Sequence, residues 1–141
     1  MKLELKYPAT AQNAGEHAAL AVKAAREFEV ALDYSPLSLE RVDDQVESLR
    51  EEGLTGEDTA ETLFVFGCYL GEVMVRHLGG RWVATAQSPL ARVSPWPMVV
   101  VLPGGSAWDT IGKVFKRLEL GDSEYLPAYL ATARAVLGGF P

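Results

Sequence analysis

One stretch limits what this chain can fold into more than any other. From Leu63 to Val75 almost every residue is apolar or glycine, and the one charged residue is Glu72. Thr55 with Asp58 three residues later resembles a capping box before it, and Gly79-Gly80 follows as a stop. The spacing predicts a helix over about 57–78 that is apolar almost all round. Such a helix has no face to give to water, so the rest of the chain must wrap it. A bilayer span needs about 20 consecutive apolar residues. The interruption at Glu72 therefore predicts a buried helix and no membrane partner. Gly67 and Gly71, four apart, would let a neighbour come close on one side.

The flanking segments supply the wrapping. Leu3 and Leu5 alternate with Glu4 and Lys6, the period of a short half-buried strand that Pro8 ends. No continuous apolar run follows Met1, so no secretory leader is expected. From about Ala11 to Leu32 the residues Ala14, Ala18, Ala21, Ala25, Phe28 and Leu32 draw one helical stripe. Ser35-Pro36 reads as an N-cap and first-turn proline. They open a helix with Leu39, Val42, Val46 and Leu49 on one face, ending near residue 52. Its acidic run from Asp43 to Glu52 reads as a solvated face, the alternative being a face that meets a basic partner.

Arg81–Ala86 and Met98–Leu102 read as two strands, the second β-branched and covered on both sides. The eleven residues between them are too few for a crossover helix, so the pair is expected to be antiparallel. Ser106 and Asp109 look like a second capping box, opening a helix with Trp108, Ile111, Phe115 and Leu118 in its stripe. Lys113, Lys116 and Arg117 lie toward its end, where the helix dipole favours cations. A last helix, with Pro127 in its first turn, carries Leu126 through Leu137 and stops at Gly138-Gly139. The expectation is one domain over 1–141 of the α+β class, helix-rich, with about five helices around a small antiparallel sheet.

Charge and composition remove several functions. The net charge of −6 leaves no cationic field for a phosphate backbone, so no nucleic-acid partner is expected. One cysteine, Cys68, and two histidines, His17 and His77, cannot make the usual zinc sets, so no metal or cofactor is expected. Cys68 lies inside the apolar helix and reads as an inert thiol. A lone cysteine cannot form an internal disulfide, which points to a reducing compartment, the cytoplasm. Both histidines read as surface or boundary residues.

The turn Leu102-Pro103-Gly104-Gly105-Ser106 runs from a strand toward a helix, the setting of phosphate-binding loops. A Walker motif fails there, because Val114 follows Lys113. A nucleophile elbow fails as well, because no histidine follows Ser106. No catalytic residue is assigned. Glu72 needs a partner in its apolar helix. Arg76 is one turn on, and the indole N–H of Trp82 is the other candidate. The structural reading is an anchor, and the sharper one is a pocket carboxylate. Trp96, held between Pro95 and Pro97, either folds down over the sheet or stands out as a contact anchor.

Three segments together resemble small bacterial domains of unknown function: Gly67-Cys68-Tyr69-Leu70-Gly71-Glu72-Val73, Gly79-Gly80-Arg81-Trp82, and Lys113 to Leu118 with Gly121-Asp122-Ser123. The resemblance covers roughly 35–130 and brings no catalytic residues. By analogy it suggests an antitoxin or immunity partner. The first expectation is a non-catalytic cytoplasmic protein-interaction domain, with Glu72, Arg76, Trp82, Trp96, Ser106 and Trp108 as its ligand- or partner-binding residues. One alternative is a ligand pocket or enzyme near Glu72 and the Gly104–Ser106 turn. Another is a homodimer through the strand edge or the alanine stripe.

Overall fold

The structure, a computed structural model, describes residues 3–139; Met1 and Lys2, at the start of the expected N-terminal strand, lie outside them. Five helices surround a three-stranded sheet: α1 (Ala14–Arg26), α2 (Ser38–Glu51), α3 (Ala60–Leu78), α4 (Thr110–Leu120) and α5 (Leu126–Gly138). The strands are β1 (Arg81–Ala84), β2 (Met98–Val101) and β3 (Ala107–Trp108). The sheet order is β1-β2-β3 and both pairings are antiparallel. This is a helix-rich α+β domain. Among the described residues, no helix is long and apolar enough to cross a membrane.

α3 is the spine. Its residues from Leu63 to Leu70 are all buried, and α1 and α4 pack along it. The glycines make that possible. A Cβ on Gly67 would fall 2.5 Å from Ile111 Cα of α4, and one on Gly71 would overlap the Trp82 ring. Ala14, Ala18, Ala21 and Ala25 of α1 are fully buried. The alanine stripe is thus spent inside the chain. Thr55 and Asp58 bond reciprocally: the Asp58 carboxylate accepts from Thr55 N (2.9 Å), and Thr55 Oγ1 accepts from Asp58 N (3.2 Å). That box orders the turn leading into α3, which itself begins at Ala60. Ser35 Oγ accepts from Ser38 N (3.2 Å) at the head of α2.

Six expectations are corrected. Leu3 and Leu5 form no strand; they pack on the core from a coil, and Glu4 N donates to Glu61 Oε1. α1 stops at Arg26, not Leu32. Val30 N donates back to Ala25 O and Glu29 N to Arg26 O, with Glu29 left-handed at φ 61°. Phe28 leaves the stripe and is 73% exposed. The first strand is shorter than Arg81–Ala86, because residues 85–87 turn into a 3-10 helix. Ser106 does not cap α4. Gly104 and Gly105, both at positive φ, turn the chain into β3, and Asp109 becomes the cap, accepting from Gly112 N (2.9 Å).

His17 is fully buried, not at the surface. Its Nε2 donates to Pro8 O (3.0 Å), and its ring edge meets Phe64. The acidic face of α2 is only partly solvated, since Asp43 is buried. Arg117 of α4 grips it twice, Nε to Oδ1 at 2.9 Å and Nη2 to Oδ2 at 3.2 Å, and reaches Glu47 at 3.0 Å. Leu126 N at the start of α5 also donates to Asp43 (3.0 Å). Burial alone would lower the Arg117 pKa; the hydrogen bonds it donates to Asp43 and Glu47, with their charges, outweigh it and raise it. One guanidinium thus ties α2 to α4, and its carboxylate partner reaches α5.

Candidate interaction surface

The six sequence-selected residues fall into two groups. Glu72, Arg76 and Trp82 form the first. Trp82 Nε1 donates to Glu72 Oε2 (3.1 Å), and Arg76 Nε stands 3.8 Å from Glu72 Oε1. Both partners expected for the carboxylate are present together, and its side chain is only 17% exposed. Tyr34 covers the group, with its ring 3.6 Å from the Arg76 guanidinium. Its backbone is left-handed (φ 65°), a strained state for tyrosine that persists only when the surroundings fix it. Here they do. Tyr34 N donates to Tyr69 Oη (2.7 Å), and His77 Nε2 donates to Tyr34 O (2.7 Å). Tyr69 in turn shares a 2.6 Å hydrogen bond with Ser38 Oγ, and burial raises its phenol pKa. The Glu72 carboxylate, the Trp82 indole N–H and the Tyr69 hydroxyl each have a partner inside the fold, as an anchor requires. Cys68, buried on the same helix, has its thiol pushed up by burial and then by the Glu72 charge, so it stays protonated and inert.

Trp96 and Trp108 line an open groove of about 510 Å³; Ser106 does not line it and joins this second group only through its hydrogen bond to Trp108. One wall is the loop before β2, with Leu90, Val93, Pro95 and Trp96. The other is built from Trp108, Phe115 of α4 and Tyr129 of α5. Ser94 sets the loop in place. Its hydroxyl donates to Asp109 Oδ2 (2.8 Å) and accepts from Trp96 N (3.1 Å). The cap of α4 thereby fixes where Trp96 stands. The Trp96 ring stacks on Phe115 with centroids 4.5 Å apart; it packs on the core and one side of it lines the groove. Trp108 meets Tyr129 edge-on at 5.3 Å.

Asp109 spends one oxygen on Gly112 N and the other on Ser94 Oγ, and Ser106 Oγ accepts from the Trp108 indole (2.9 Å). Burial, and after it the Asp109 charge, push the Tyr129 phenol well above the ordinary tyrosine range, so it stays protonated. The Trp96 indole N–H, in contrast, meets no acceptor among the described residues, and Val93 is 77% exposed. Lys116 and Glu119 close the far end. Among the described residues no three His, Cys, Asp or Glu side chains are grouped to hold a metal ion.

Ser106 and Glu72 share no hydrogen bond: the serine hydroxyl is bonded to Trp108, and the carboxylate to Trp82. Sequence reasoning singled out Trp96 and Trp108 but missed Val93, Phe115 and Tyr129. The aromatic character of all but Val93 was visible, but their convergence depends on α5 folding back beside β3. No protein-family model matches the chain, and no curated protein or solved structure matches it either.

Proposed function

We propose that this chain is a non-catalytic protein-interaction domain of the adaptor or immunity-like kind, acting in the cytoplasm, and that it binds a partner through the Trp96–Trp108 groove. The observation that carries the reading is an apolar groove between two tryptophans, with an exposed Val93 at its rim and one indole N–H left over. Aromatic side chains offer large rigid contact area at little entropic cost and dominate binding hot spots. A spare indole donor on such a wall suits a carbonyl of an extended, apolar or proline-containing segment. The buried thiol of Cys68 accords with a reducing compartment.

Panning a random peptide library against the immobilised protein tests this. Enriched peptides should be apolar, aromatic or proline-containing, and should bind Val93→Glu and Trp96→Ala at least about tenfold more weakly, the scale of one lost anchor. Val93 is nearly free of the fold, so its variant should melt like the parent. No enrichment, or equal binding to Val93→Glu, would overturn the proposal.

A further inference from the structure

We infer that the chain has a second docking surface, where α1, α2 and α3 meet, and that it accepts a partner segment with an apolar anchor flanked by lysine or arginine. A groove of about 520 Å³ opens there. Its floor is Phe66 of α3 with Leu49 of α2, and Phe28 stands at its rim, 73% exposed. The position of Phe28 is enforced. It follows the end of α1, and the two backward hydrogen bonds of Glu29 and Val30 close the helix around it. That closure sets Glu29 in the left-handed region, where glycine is the usual residue.

Charge selects the occupant. Glu27, just past the end of α1, and Glu52, just past the end of α2, flank the apolar floor, and no cation lines the groove. Neither carboxylate takes part in an ion pair among the described residues. Arg50, the cation of the last turn of α2, is turned to Glu47 at 3.8 Å. An incoming basic segment therefore meets two free acids without displacing an internal partner. Rim charges of this kind steer association and make it salt-sensitive, while the apolar floor holds the anchor. Different elements build this surface and the Trp96 groove, so each is testable alone.

Three synthetic peptides of equal length serve as probes: an amphipathic leucine–lysine peptide, its leucine–glutamate counterpart, and a glycine–lysine peptide. Each is titrated into isotope-labelled protein and followed by amide NMR shifts. The leucine–lysine peptide should move Phe28, Leu49 and Phe66, and bind at least about tenfold more tightly than either control. Raising the salt should weaken it. The double variant Glu27→Gln/Glu52→Gln and Phe28→Ser should each weaken it about tenfold with unchanged melting curves, and Val93→Glu should leave it unaltered. Equal binding of either control, shifts confined to the Trp96 groove, or no binding would overturn the inference. Loss of the Trp96-groove function alone would not touch it.

Discussion

Glu72 carries a charge in the middle of a helix that has almost no polar surface, and its two partners decide what it does. The indole of Trp82 and the guanidinium of Arg76 take its two oxygens. Replacing it with alanine leaves the indole N–H half-buried without an acceptor. We expect Glu72→Ala to cost about 1–2 kcal/mol, discounted for the solvent that reaches the pair, and to lower the thermal midpoint by about 3–6 °C. Glu72→Gln keeps an acceptor and should recover most of that. Calorimetric melts of both check it, and an unchanged midpoint for the alanine variant would remove the anchoring role. These partners were readable at the residue scale, because Arg76 lies one helical turn away and Trp82 just past the stop at Gly79-Gly80. The burial of His17 was not. Its pocket is made by the coil of residues 7–8 folding over α1, and no local periodicity encodes such a fold-over.

At the scale of elements, periodicity located the helices better than their ends. The apolar run that defines α3, the glycines on its packing faces and the pairing of β1 with β2 all follow from spacing alone. The end of α1 does not. Its alanines continue in step to Leu32, but a left-handed Glu29 breaks the helix earlier, and nothing in that residue type announces the break. Glycine suits the position. Glu29→Gly should therefore stabilise the fold by about 0.5–1 kcal/mol, the Cβ strain relieved less the added chain entropy, as measured by urea unfolding. Ser106 misled for a related reason: the two glycines before it make a hairpin turn, and the cap passes to Asp109. The box at Thr55–Asp58 predicts a pH effect. Hydrogen bonds from Thr55, backbone first, hold the Asp58 carboxyl below its ordinary range. Its contribution is then complete above roughly pH 4 and fades as acid passes through the lowered value. Asp58→Asn should make the acid limb of a stability–pH profile shallower; an identical limb would show that the box adds nothing.

Across the whole molecule, the long-range ties were the least legible. Asp43 and Arg117 each border an apolar stripe, and that position at a stripe edge was the available signal. Pairing them required knowing that α2 faces α4. Because the pair is buried, removing one partner strands the other. Arg117→Ala should cost about 3–5 kcal/mol, and Arg117→Lys should not restore it, since an ammonium cannot form the two-pronged bond. Chemical denaturation measures both. The same folding-back that hides this pair sets Tyr129 of α5 against Trp108 of β3 and completes the groove, with the Trp96 indole N–H unpartnered among the described residues and the Trp82 indole bonded to Glu72. NMR of the three indole N–H signals during titration with a panned peptide tests that division most directly. The Trp96 signal should shift progressively while the Trp82 signal stays fixed. Movement of Trp82 with Trp96 unchanged would mean that recognition occurs at the Glu72 cluster and that the division is wrong.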